Sequence, residues 1–177
     1  MAQRAYNSRE YQRFSQLRRE VGRMAEDRME EQAVIQQESG PELLIVTSFY
    51  PDVSSRQLFA YWTRPELLQQ WWPPEAEVDP RPAGAYRLSW PPMEWNLRGT
   101  YSVVEPEQRL AFTWKWDHEP DTPLRHVEVT FEPVGDVGTQ LAVTHGTYTN
   151  SSKDQEERDG HLEGWIYFLK RLHDALA

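Results

Sequence analysis

Cysteine is absent from this 177-residue chain. That excludes disulfides and cysteine-built zinc sites and fits a reducing compartment, so a cytoplasmic location is expected. No apolar run reaches the length of about eighteen residues that a membrane-spanning helix requires, so no span is expected. The stretch from Met1 to Glu10 is polar and mixed in charge, without the apolar core of a secretory signal. Positive charge is also short. The formal charge is −9, unevenly placed: residues 1–38 hold seven Arg and seven acids, whereas the rest carries twelve basic against twenty-one acidic side chains. So acidic a domain repels a phosphate backbone, and no Lys/Arg stripe interleaved with aromatics offsets it. Nucleic acid is therefore not an expected partner. Metal spacing is missing too. His118, His126, His145 and His173 stand apart, and His161-Leu162-Glu163-Gly164-Trp165 lacks the second histidine of a zinc helix. Neither metal nor cofactor is expected.

What the chain does have is ordered pattern. Its length suits one domain with a short extension. Residues 8–36 read as a helix, with Tyr11, Phe14, Leu17, Val21 and Met24 at spacings of three and four, and Ser39-Gly40-Pro41 stops it. This arm, residues 1–40, is either a solvated helix or a surface for joining a second copy of the chain or docking a partner. The domain proper is expected over residues 41–177. It opens with a β-branched and aromatic strand, Leu43 to Tyr50. Asp52 or Ser54 then caps a helix through about Trp62. Thr63 and Glu66 fit a capping box for a second helix ending at the tandem pair Trp71-Trp72. From Glu77 to His145 the pattern becomes short strands parted by turn residues: Glu77 to Asp79, Ala85 to Trp90, Asn96 to Val104, Leu110 to Trp116, His126 to Glu132 and Thr139 to His145. A long helix, about Lys153 to Leu176, closes the chain with an apolar face of Leu162, Trp165, Ile166, Phe168, Leu169, Leu172 and Leu176.

Alternation sorts the strand faces. Tyr86, Leu88 and Trp90 share one side, as do Leu110, Phe112, Trp114 and Trp116, then Val127, Val129 and Phe131, then Leu141, Val143 and His145. Only the strand from Asn96 is ambiguous, because Val104 breaks the step set by Leu97, Tyr101 and Val103. The spacing indicates an antiparallel meander whose apolar concave face takes the last helix.

One strand, two short helices, six strands and a closing helix is the order of the α+β helix-grip fold of START-like proteins, which resemble the birch-pollen allergen. Local signatures narrow the likeness. They are Trp62 to Pro73, with its Pro65-Glu66 start and tryptophan pair; Asp79-Pro80-Arg81-Pro82-Ala83-Gly84; Gly99-Thr100-Tyr101; Glu105-Pro106 followed by Arg109 to Trp114; Gly138 to Leu141; Thr144-His145-Gly146; and Gly164-Trp165. Together they resemble the family of activator-of-heat-shock-protein-ATPase homologues, of the C-terminal domain type, over about residues 41 to 177. Ala83 departs from the pattern by replacing the first of two glycines. The resemblance implies either a holder of apolar small molecules or a chaperone-linked interaction protein.

The inward aromatics can line a hollow between sheet and helix or fill it solidly. Taken as a lining, they give a ligand site of Trp72, Tyr86, Leu88, Trp90, Trp95 and Phe112, completed by Trp114, Trp116, His145, Trp165, Phe168 and Leu169. Indole N–H groups and the Tyr86 hydroxyl would orient a small apolar or amphipathic molecule, lipid-like or aromatic, and Ser89 to Trp95 would act as a lid. His145 is either a core histidine or a ligand contact, or, in an enzymatic alternative such as a cyclase or hydrolase, a base. The expected function is non-enzymatic binding. The alternative is an interaction protein, chaperone-linked or self-associating.

Overall fold

The computed structural model describes the strand Ile35–Gln37 and residues 40–177. The seam Tyr11, Phe14, Leu17, Val21 and Met24, and nearly all of the helix expected over residues 8–36, lie outside the described residues. At the end of that stretch the backbone is extended instead: Ile35–Gln37 forms a strand, β1.

Period-two alternation becomes an antiparallel sheet of eight strands in the order β1-β2-β8-β7-β6-β5-β4-β3. The elements after β1 are β2 (Leu43–Tyr50), α1 (Ser55–Thr63), α2 (Pro65–Leu68), β3 (Glu75–Val78), β4 (Ala85–Trp90), β5 (Trp95–Glu105), β6 (Arg109–Trp116), β7 (Arg125–Val134), β8 (Gly138–Gly146) and α3 (Ser152–Leu176). The chain is α+β, and α3 grips the concave side of the sheet. Trp165, Leu169 and Leu172, spaced by four and three, are the buried stripe of α3. They share one core with Leu44, Val46, Leu110, Val129, Leu141 and Val143, all fully buried.

The ambiguous strand resolves into a bulge. Tyr101 pairs with Phe112 and Val103 with Ala111, so one residue of β5 is unmatched between them. Beyond it the inward phase passes to Val104, which packs against the core, and this shift is why Val104 breaks the step set by Leu97 and Tyr101. Gly99 faces Tyr86 across the ladder. A Cβ there would stand 2.0 Å from the Thr113 carbonyl oxygen and 2.6 Å from the Tyr86 ring. Only a residue without a side chain lets that ring lie flat across the strand.

Ala83 has the left-handed φ of 65°, a conformation that costs a non-glycine residue roughly 1 kcal/mol. Its N–H donates to the Tyr101 carbonyl at 2.8 Å, which holds the turn in place. Ala83→Gly should therefore raise the urea midpoint, by about 1 kcal/mol of stability less what glycine loses to unfolded-chain entropy. A drop in the midpoint would show that the methyl group contributes more by contact than it costs by strain.

Candidate functional site

The site begins at the break between α1 and α2. Arg64 precedes a proline and is extended (φ −106°, ψ 124°), as Pro65 demands of the residue before it. Two expectations fail here. Thr63 does not cap α2: it ends α1, and its hydroxyl donates to the Phe59 carbonyl at 2.9 Å. Likewise, α2 ends at Leu68 rather than at Trp72. The turn brings Trp71 and Trp72 back onto Trp62, with ring centroids 4.9 and 5.7 Å away. Trp71 is fully buried, and its indole N–H donates to the Tyr61 carbonyl at 2.9 Å.

From Trp72 the rings continue in two directions. Toward α3 and the sheet, Trp72 lies 5.8 Å from Trp114, nearly parallel, and 5.2 Å from Trp165; Trp114 and Trp165 are 5.5 Å apart. Trp72 also reaches Phe168 at 6.5 Å, Phe168 reaches Trp90 at 6.4 Å, and Trp90 reaches Trp116 at 5.4 Å. Trp95 follows at 6.1 Å from Trp116 and stacks on His118 at 4.7 Å. Trp90, Trp95, Trp116 and Phe168 are only half-buried, so this end of the series meets solvent. In the other direction, Trp72 joins Trp62, Leu68, Tyr86, Leu88, Tyr101 and Phe112 around a cavity of about 10 Å³. That is about the space one water needs. The rings that the sequence arranges around a hollow thus touch one another directly.

A polar cluster closes the inner end. Trp165 donates its indole N–H to His145 Nδ1 at 3.1 Å. His145 is fully buried, stacks on His161 at 4.3 Å and lies 4.9 Å from the Trp114 ring. His161 shares a hydrogen bond of 2.8 Å with the Tyr148 hydroxyl. Burial, then the charges of His161 and Arg125, hold His145 well below its ordinary pKa. Burial, then Arg125, pushes His161 down to about 3. Both imidazoles are neutral at physiological pH. Arg125 sits beyond them over the Tyr148 ring at 4.6 Å, paired with Asp154 at 2.9 Å and Glu157 at 2.7 Å. Among the described residues, no cluster of side chains is arranged to hold a metal ion.

Of the residues expected to form the site, Trp72, Trp90, Trp95, Trp114, Trp116, His145, Trp165 and Phe168 come together in that one series of rings. Tyr86, Leu88 and Phe112 form the wall of the small cavity and join the series through Trp72. Leu169 is fully buried in the core. The Tyr86 hydroxyl is not an orienting contact, because it donates to the Thr113 carbonyl at 2.6 Å. The lid also differs: Pro91–Met93 make a 3-10 turn, Glu94 is left-handed at φ 55°, and Trp95 already begins β5. Sequence reasoning missed Trp62, Trp71, Tyr148 and His161. For His161 a signal existed, since it lies one helical turn before Trp165 and so on the same face.

The model of the family described as "Activator of Hsp90 ATPase homolog 1-like protein" matches residues 52–177. The chain belongs to this family, within the START-like superfamily. Solved structures share the fold. A Mesorhizobium loti protein is 22% identical, with a TM-score of 0.66 over 76% of this chain and 96% of that one. An HSP90 activator from Plasmodium falciparum is 23% identical, with a TM-score of 0.61 over 76% and 96%. A putative protein in the dynemicin biosynthetic locus is 18% identical, with a TM-score of 0.64 over 76% of this chain and 47% of that one. No curated protein matches it in sequence. No helix among the described residues is long and apolar enough to cross a membrane.

Proposed function

We propose that the chain holds a small apolar or amphipathic molecule between the sheet and α3, without transforming it. The molecule enters past the half-buried rings of Trp90, Trp95, Trp116 and Phe168. What supports this is the unbroken series of rings from the solvent edge to the polar cluster at His145: an apolar path that ends on a few buried polar groups. Drug-sized sites occupy roughly 300–1,000 Å³, far above the cavity of about 10 Å³. On this proposal the packed arrangement is the closed form, and binding displaces rings. The family description also names a chaperone activator, but no contact among the described residues favours that role over holding a ligand.

Because the ligand moves tryptophans, binding should be visible in their emission. Titration with 1-decanol or with the uncharged dye N-phenyl-1-naphthylamine should give a saturable change in tryptophan fluorescence, with a Kd of about 1–100 μM, corresponding to roughly 5–8 kcal/mol. A flat emission trace with both probes, under conditions where calorimetry also detects no heat, would sink the proposal.

A further inference from the structure

At the inner end of the ring series, two N–H groups have no acceptor among the described residues: Trp114 Nε1 and His145 Nε2. Both side chains are more than nine-tenths buried, Trp114 at 7% exposure and His145 at 0%. Their rings are neighbours, 4.9 Å between centroids. Indole nitrogen can only donate. The tautomer of His145 is set by the same rule, since Trp165 donates to Nδ1. A neutral imidazole that accepts at Nδ1 carries its proton at Nε2, so Nε2 is a donor as well. Two donor-only groups thus belong to neighbouring rings in an aromatic interior, where an unmade hydrogen bond is costly; a third, Trp62 Nε1, lies farther along the ring series.

The charge around them decides what kind of acceptor fits. The nearest cation, Arg125, is already paired with both Asp154 and Glu157. A carboxylate or phosphate brought to His145 would meet no uncommitted positive charge there, and two carboxylates lie beyond the arginine. Burying an unpaired anion in such a place is strongly unfavourable. A neutral carbonyl oxygen has no such cost, and its two lone pairs can accept from one or both donors.

Resting on the binding role proposed above, we infer that the ligand is a neutral aromatic or alicyclic molecule bearing a carbonyl oxygen, which it places at Trp114 Nε1–H and His145 Nε2–H. The apolar body lies along Trp72, Trp165 and Phe168, and the oxygen is the group that fixes its direction. A site with buried donors rejects an analogue lacking the acceptor, because the donors then stay unpaired.

The test compares two probes of nearly identical shape, 2-acetylnaphthalene and 2-isopropenylnaphthalene, which differ in C=O against C=CH₂. Each competes with the uncharged dye N-phenyl-1-naphthylamine for the full chain. The ketone should bind about tenfold more tightly or better. In Trp114→Phe, which keeps a ring and removes the donor, the preference should shrink to within about threefold. In ¹H–¹⁵N spectra of the native chain, the Trp114 indole signal should move downfield with the ketone and stay in place with the alkene. Equal affinity for the two probes would overturn the inference and leave the binding role standing. A preference without movement of the Trp114 signal would also overturn it, as would a preference unchanged in the variant. If neither probe displaces the dye, the binding role falls and the inference with it. Should Trp114→Phe fail to fold, the indole signal of the native chain decides alone.

Discussion

Replacing Arg125 with methionine should lower stability by about 3 kcal/mol, because it leaves the buried Asp154 carboxylate and the half-buried Glu157 carboxylate facing each other without their cation. Arg125 starts β7, and its side chain is 4% exposed. The guanidinium holds Asp154 at 2.9 Å and Glu157 at 2.7 Å on the first two turns of α3, and it donates to the Thr147 carbonyl in the loop between β8 and α3. Asp154 is bound to this arrangement from several sides. The Thr149 N–H, at 2.7 Å, is the largest cause of its depressed pKa, and with Arg125 it takes the carboxyl down to about 2. Without Arg125 the pair repels, and its position at a helix N-terminus offsets only part of the cost. Urea unfolding of Arg125→Met measures the loss. Adding Asp154→Asn and Glu157→Gln to that variant should restore most of it. If Arg125→Met alone costs less than about 1 kcal/mol, the triad is no more than a solvated surface pair.

Mild acid should be the second large perturbation. His145 and His161 have folded pKa values far below that of a free imidazole, chiefly through burial. Below about pH 6.5 the unfolded chain takes up protons at these positions and the folded chain does not. Stability therefore falls as pH drops from about 7 toward the folded values, near 3 for His161. Each such histidine contributes up to about 1.4 kcal/mol per pH unit, so His161 alone should cost about 2 kcal/mol between pH 6.5 and 4.5, and His145 adds to the loss in the same direction. His118 and His173, also lowered by burial, act in the same direction. Asp154 adds its loss only below about pH 4, as protonation approaches its folded pKa of about 2. Urea midpoints taken across pH 7.5–4.5 should slope steeply for the native chain, and measurably less steeply for His161→Phe. A native profile flat to within about 1 kcal/mol would mean that both imidazoles reach solvent.

The site was legible in the sequence to the extent that it obeys periodicity. Trp90, Trp114, Trp116 and His145 follow from strand alternation, and Trp165, Phe168 and Leu169 from the face of α3. Trp62 and Trp71 did not follow, because their positions depend on the bend at Arg64-Pro65 and on which way the chain leaves it. The capping reading at Thr63 failed for a related reason. A threonine can satisfy the carbonyl one turn behind it as readily as the N–H groups ahead, and here α1 offers that carbonyl first. The Arg125 triad was also out of reach. Arg125 and Glu157 are far apart in sequence, and nothing local marks a charged residue as one to be buried.

By itself the sequence determined the α+β class, the antiparallel meander, the closing helix and the inward set of aromatic side chains. Each of these repeats every two residues or every three to four, and burial of one face enforces it throughout the element. Only the tertiary structure decided the bulge that hands the inward phase to Val104, the direct contact of Trp62, Trp71, Trp72, Trp114 and Trp165, and the pairing of His145 with Trp165 and His161. Those depend on how far two faces approach one another. Periodicity says which side chains point inward but carries no information about that distance, and side-chain volume against backbone spacing settles it.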